Sequence, residues 1–148
     1  MSLQTQVMDA MKIAMKAKDA GALAALRAIK SELLLASTSA SSGELTEADE
    51  IKILQKLVKQ RKESATIFSE QNREDLAQPE LEQSAVIEQF LPEQMSEEEV
   101  AKVVEEIIAQ TGASSMKDMG KVMGMTNSKL GGKADGKTIS GIVKAKLS

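Results

Sequence analysis

The sequence predicts an all-α protein: a four-helix N-terminal domain over residues 1–93, followed by a three-helix C-terminal domain over residues 94–148. Three observations predict it. Apolar residues recur every three or four positions through seven stretches of the chain. Residues that cap helices stand at the edges of most of those stretches, hydroxyl or aspartate side chains before them and glycine after. No segment sustains the period-two alternation of a strand.

The elements follow in order. Leu3, Val7, Met11, Ala14 and Met15 keep helical spacing, and Asp19 is placed to cap a second helix that buries Leu23, Leu26, Ile29 and Leu33. That helix is expected to dissolve into the Ser/Gly stretch 37–43. Thr46 opens a third, with Glu47, Asp49 and Glu50 suiting its positive N-terminal end. Its stripe is Ile51, Leu54, Val58, Ala65 and Phe68, with Arg61 where an apolar residue is due. A fourth helix starts between Asp75 and Pro79, because proline is tolerated only in a first turn. It carries Val86, Ile87, Phe90 and Leu91, and Pro92 helps to end it. The segment from Leu91 to Met95 reads as the domain junction. Ser96 and Glu99 have capping-box spacing before Val100, Val103, Val104, Ile107 and Ile108, and Gly112 suits the helix end. Ser115 with Asp118 introduces a helix of Met116, Met119, Val122 and Met123 that ends at Gly131–Gly132. Asp135 caps the last helix, through Ile139, Ile142, Val143 and Leu147.

Composition excludes several kinds of chemistry. The 148 residues contain no cysteine and no histidine, which removes thiolate nucleophiles, Cys/His zinc sites and histidine proton relays. The only aromatic residues are Phe68 and Phe90, so the core is aliphatic and base-stacking platforms are not expected. The N-terminus mixes acid and amide groups with its apolar residues and does not read as a targeting segment, and no apolar run is long enough to span a bilayer. A soluble cytoplasmic protein with no membrane contact is expected. The net charge of -3 is unevenly spread. Residues 1–94 hold 11 basic and 15 acidic side chains, whereas residues 112–148 hold seven lysines against Asp118 and Asp135. A basic tail on an acidic body is a footprint for a polyanion, or more plainly a solvated lysine face.

Few motifs carry chemistry. Residues 131–138 (GGKADGKT) satisfy the phosphate-loop pattern G-x-x-x-x-G-K-[ST]. No strand precedes them and only ten residues follow Thr138, so nucleotide hydrolysis is not expected. Glycines beside a helix N-terminus, with Lys133 and Lys137, would suit a nucleic-acid phosphate; a plain turn capped by Asp135 is the alternative. Arg61 on its stripe and Arg27 beside the previous one are expected to rest their stems on the core, with heads paired to carboxylates such as Glu32 or Glu63. The other reading makes Arg27, Lys30, Lys59, Arg61 and Lys62 a second ligand surface. Met116, Met119, Met123 and Met125 read as core filler, or as an adaptable partner surface. No carboxylate pair is set against an apolar pocket, so no catalytic residue, metal ligand or cofactor site is assigned.

The stretches LRAIKSE (26–32), KQRKES (59–64), FLPEQMSEEEV (90–100), MGKVM (119–123) and GGKADGKTISGIVKAKL (131–147) resemble the YqeY family, whose domain is shared with the tail of the GatB subunit of tRNA-dependent amidotransferases. The resemblance spans nearly the whole chain. It implies an all-helical fold of four plus three helices. It also implies a link to glutamine-dependent tRNA transamidation, a carbon–nitrogen ligase activity with glutamine as amido donor. In the amidotransferase the tail helps to recognise the tRNA body, while transfer chemistry occurs in other domains. By this resemblance Lys121, Lys129, Lys133 and Lys137 are candidates for tRNA backbone contact. The expectation is a tRNA-associated binding module with no catalytic site of its own. The alternatives are a protein-interaction adaptor without RNA binding and, on the phosphate-loop match alone, an enzyme acting by itself.

Overall fold

The computed structural model describes residues 2–39 and 44–148, which form helices joined by short turns, with no strand among them. The elements are α1 (Leu3–Ala17), α2 (Ala20–Ser39), α3 (Glu47–Glu70), α4 (Glu74–Glu88), α5 (Glu97–Thr111), a 3-10 turn (Met116–Asp118), α6 (Met119–Leu130) and α7 (Gly136–Leu147). They gather into two compact units, Met1–Leu91 with α1 to α4 and Pro92–Ser148 with α5 to α7.

In the first unit the Ser2 hydroxyl accepts the Thr5 N–H and starts α1. The helix reverses through Lys18 in the left-handed region (φ 57°), and the Asp19 N–H closes the turn on the Ala14 carbonyl at 2.9 Å. Asp19 then accepts the Ala22 N–H, so one residue ends the first turn and caps α2. A lysine in that conformation carries a steric cost of about 1 kcal/mol, which is why sequence reading favours glycine or asparagine there.

The second helix runs further than its composition suggests. It continues through Ser39, where the Thr38 and Ser39 hydroxyls satisfy themselves on the Leu35 carbonyl of their own helix at 2.8 and 2.9 Å. The rest of the expected Ser/Gly break, residues 40–43, lies outside the described residues.

Thr46 and Asp49 exchange side-chain-to-backbone bonds at 3.1 and 3.0 Å and open α3 with a complete capping box. Asn72 (φ 60°) turns the chain after α3. The fourth helix begins at Glu74, one residue earlier than the expected window, and Pro79 falls inside it as the sixth residue. The Arg73 guanidinium grips the Asp75 carboxylate with two bonds of 3.0 Å just where the chain enters the helix. The hydrogen bond that proline forfeits belongs to an exposed early turn of the helix, where its loss costs least.

The core of this unit is aliphatic: Leu3, Val7 and Ala14 from α1, Ala25, Leu26, Ile29 and Leu33 from α2, Leu54, Leu57 and Val58 from α3, and Ile87 from α4. The hairpin of α3 and α4 forms its largest helix–helix interface. Buried Ala65, Ala77 and Ser84 lie on those two helices, and side chains this small let backbones come close. The Ser84 hydroxyl is satisfied by the Leu81 carbonyl at 2.9 Å.

In the second unit Ser96 caps α5 by accepting the Glu99 N–H. The expected capping box is only half made, since the Glu99 carboxylate meets the Ser96 hydroxyl at 3.3 Å instead of its backbone N–H. Gly112 (φ 69°) ends α5. The Ser115–Asp118 segment is a 3-10 turn that runs straight into α6. Gly131 (φ 52°) ends α6, and Asp135 accepts the Thr138 N–H at 2.6 Å to start α7. Val100, Val104, Ile107, Val122, Leu130, Ala134, Ile139, Val143 and Leu147 fill the core. Thr126 lies fully buried among them with its hydroxyl on the Val122 carbonyl at 2.8 Å.

Ile87 and Ile13 make a contrasting pair for testing this packing. Ile87→Ala should lower stability by about 2–5 kcal/mol in urea unfolding, through lost burial and the cavity left behind. Ile13→Ala, at a side chain 69% exposed, should shift it by no more than about 0.5 kcal/mol. Stability should also respond to pH. The Thr46 backbone N–H holds Asp49 below the ordinary carboxylate range, the Arg73 guanidinium does the same to Asp75, and Lys146 to Glu105. Each binds its proton more weakly when folded, so its contribution is present above the unfolded value and lost as pH falls through the folded one. Glu50, pushed up by burial, acts in the opposite sense. With no histidine in the chain, the urea midpoint should stay flat from about pH 6 to 9 and fall below about pH 4.

Candidate nucleic-acid interface

The lysines of the second unit are distributed by its helix ends. Lys129 is the penultimate residue of α6, where the negative end of the helix dipole favours a cation. Lys133 stands in the turn between α6 and α7, and Lys137 is the second residue of α7. These three border one turn. Lys121, the third residue of α6, lies eight residues before Lys129, which places it about 12 Å along the axis and about 80° around it. The four expected contact residues therefore divide into a group of three and one outlier. All four are exposed.

Their charges are not equally available. Lys129 reaches Glu106 of α5 at 3.2 Å, and Lys146 of α7 reaches Glu105 at 2.5 Å. The acidic face of α5 thus neutralises two of the seven lysines that make the tail look basic, a pairing across 23 and 41 residues that no local window shows. Lys121, Lys133 and Lys137 form no ion pair among the described residues. Lys137 also sits at the positive end of α7, where a cation is disfavoured, and Asp135 at the cap is the nearest offset in sequence.

The phosphate-loop pattern takes the shape of a helix–turn–helix. Gly131 and Gly132 supply positive φ values of 52° and 89°, the Lys133 N–H bonds to the Leu130 carbonyl at 3.0 Å, and the Thr138 N–H is taken by Asp135. Those two amides face their own chain. An anion at this turn meets lysine side chains, without a backbone cradle built from those groups. The carbonyl side of the turn is tied as well. The Met95 N–H bonds the Lys133 carbonyl at 2.8 Å, and the Gln94 amide nitrogen bonds the carbonyls of Pro92 and Gly132 at 2.8 and 3.0 Å. Sequence reading passed over Gln94 because its partner is 38 residues away.

On the first unit, Arg27 and Lys30 are exposed on α2 and form no ion pair among the described residues. Lys59 stands 4.0 Å from Glu63 on exposed α3, and Lys62 pairs with Glu88 of α4 at 2.6 Å. Arg61 is half-buried, and its guanidinium donates to the Gln83 side chain at 3.1 Å and to the Leu57 carbonyl at 3.2 Å. The expected carboxylate partners are thus corrected: Arg61 is tied to α4 through a neutral amide, and Glu63 turns to Lys59. Helical geometry sets Lys59 and Arg61 about 200° apart on α3, so these residues do not form one continuous patch.

A shallow groove of about 440 Å³ runs between α5 and α6, lined by Ile107, Gln110, Gly124, Met125, Ser128 and Lys129. The methionines are less buried than expected of core filler. Met119 and Met123 pack against the core from its edge, while Met116 and Met125 are exposed. Among the described residues no three acidic side chains gather at metal-binding distance, and no helix is long and apolar enough to cross a membrane.

Comparison with known proteins agrees with the sequence stretches quoted above. Over 84 residues the chain is 36% identical to a glutamyl-tRNA(Gln) amidotransferase subunit of Thermococcus gammatolerans, a match covering 54% of this chain and 13% of that subunit. The chain therefore corresponds to only a small part of that relative's length. The model of the YqeY family, described as Yqey-like protein, matches residues 4–147, and with seven α-helices among the described residues and the stretches that carry the resemblance distributed along them, the chain belongs to the YqeY family.

Proposed function

We propose that this protein is a tRNA-associated binding module, linked to glutamine-dependent tRNA transamidation, that has no catalytic site of its own and works in the cytoplasm. The observation that carries the reading is that Lys133, in the turn before α7, and Lys137, in its first turn, are exposed and form no ion pair among the described residues. The similarity to part of an amidotransferase subunit named for glutamyl-tRNA(Gln) supplies the polyanion. On this reading residues 94–148 are the RNA-contacting domain and residues 1–93 a separate helical domain. Amide transfer, the carbon–nitrogen ligase step, belongs to other polypeptides.

The chemistry of the surface sets the mode of recognition. Phe68 and Phe90 are half-buried in the first unit, and the chain has no tyrosine or tryptophan, so unpaired bases find no stacking platform. Contact falls on phosphates, and discrimination on the shape of the folded RNA. Such binding releases counterions and weakens as salt rises, with a log–log slope of about 0.9 per phosphate neutralised on a duplex.

A second reading, a protein-interaction adaptor, is favoured by one observation: Leu34 and Leu35 of α2 are 62% and 61% exposed. It predicts a salt-tolerant protein partner and no affinity for RNA.

Binding of the purified protein to total tRNA at two salt concentrations separates the two. We expect salt-sensitive binding that Lys129→Ala/Lys133→Ala/Lys137→Ala abolishes. The single changes should rank: Lys133→Ala and Lys137→Ala each reduce the salt slope by about 0.9, and Lys129→Ala by less, because Glu106 already compensates it. No binding at low salt excludes the tRNA reading and leaves the adaptor.

A further inference from the structure

The turn that carries Lys133 is held from outside its own helices. Gln94 and Met95, which precede α5, reach across to it. The Gln94 side-chain amide has two N–H donors and places both on main-chain carbonyls, Pro92 at 2.8 Å and Gly132 at 3.0 Å. Because both partners are acceptors, only the nitrogen end of the amide can face them. The next residue adds the Met95 N–H on the Lys133 carbonyl at 2.8 Å, while the Met95 side chain packs against the aliphatic core. A short strap, fastened at Gly132 and Lys133, thus crosses the α6–α7 turn.

The strap fixes what the glycines leave free. Gly131 and Gly132 both have positive φ, and a Gly–Gly pair has the widest backbone freedom of any dipeptide. Lys133 follows directly. Its N–H is on the Leu130 carbonyl and its C=O on the Met95 N–H, so both of its main-chain groups are held. Leu130 and Ala134 on either side are buried, and the exposed side chain of Lys133 is left to project from a pinned backbone. Removing the Gln94 donors takes one tie from the Gly132 carbonyl, beside the Met95–Lys133 bond, and so loosens the turn beneath the lysine. An ordered lysine loses less conformational entropy when it meets a phosphate.

We propose that Gln94 is a positioning residue of the polyanion site: it touches no ligand and acts through Lys133 by holding the 131–133 turn in its binding conformation. This rests on the reading of Lys133 and Lys137 as tRNA phosphate contacts. It adds a requirement for a neutral side chain with two donors, of glutamine length, at position 94.

The test is a double-mutant cycle. Gln94→Met keeps length and bulk and removes both donors. Its effect on total-tRNA binding is compared with Lys133→Ala and with the double variant, while hydrogen exchange of the Met95 amide reports on the strap without RNA. Losing one phosphate contact at 0.1 M salt amounts to roughly an eightfold loss of affinity, and Gln94→Met should lose up to that amount. Its salt slope should move toward that of Lys133→Ala, the double variant should bind no worse than Lys133→Ala alone, and exchange at Met95 should quicken. Unchanged tRNA affinity in Gln94→Met, or losses that add in the double variant, would overturn the positioning role while the tRNA reading stands. Wild-type protein that fails to bind tRNA at low salt removes the reading itself, and the positioning role with it. Far-UV circular dichroism identical to wild type shows that the variants fold.

Discussion

With two phenylalanines and no tyrosine or tryptophan, every core contact beyond those two rings has to come from aliphatic side chains. A leucine, isoleucine or valine contributes about 1.5–3 kcal/mol when fully buried, so no single residue anchors the fold. Each helix must instead deliver several such residues along one stripe, and the stripes must meet. The first unit brings together Leu26, Ile29, Leu54 and Ile87, and the second Val104, Ile107, Val122, Ile139 and Val143. Where α3 and α4 pack, alanine and serine take over from leucine on the buried faces. The constraint explains why polar intrusions are settled so locally. Ser84 and Thr126 both return their hydroxyls to carbonyls of their own helix, and neither needs a partner from across the core.

What the sequence revealed and what it hid divide along the range of the interactions concerned. Caps act over three or four residues, and Asp19, Thr46, Ser96 and Asp135 were all recognisable beforehand because residue type and spacing alone define them. The same holds for Gly112 and Gly131. Lys18 was not recognisable as a left-handed residue, since the tight closure onto Ala14, and not any property of lysine, fixes it there. The fourth helix begins at Glu74, one residue before the window set by the proline rule, because Pro79 is accommodated inside the helix and not in its first turn. The candidate site shows the same division more sharply. Its lysines could be named in advance, but their availability depends on Glu105 and Glu106 in another helix, and the shape of their turn on Gln94. Such contacts span tens of residues and have no periodic signature.

Electrostatics in the second unit follow from one acidic helix lying against two basic ones. The Glu105 and Glu106 carboxylates draw in Lys146 and Lys129, so the face toward α5 is balanced within the protein. These exposed pairs contribute little to stability. Their effect is on the pattern of charge, because they leave Lys121, Lys133 and Lys137 among the lysines that form no ion pair within the described residues. For a chain carrying a net charge of -3, that local arrangement matters more than the total.

The order of the helices has a kinetic side. In the first unit the two most extensive pairings, α3 with α4 and α1 with α2, join helices that are neighbours along the chain, and in the second unit α6 pairs with its neighbours α5 and α7, which also pair with each other. Turns of a few residues join most of these partners, so the loops to be closed before contacts reward the chain are short. Architectures of this kind reach the native state in microseconds to milliseconds, far faster than residues are added during synthesis. The aliphatic stripes of α1 to α4 can therefore cover one another while α5 to α7 are still being made, which limits how long exposed leucine and isoleucine surface is available to stick to other nascent chains.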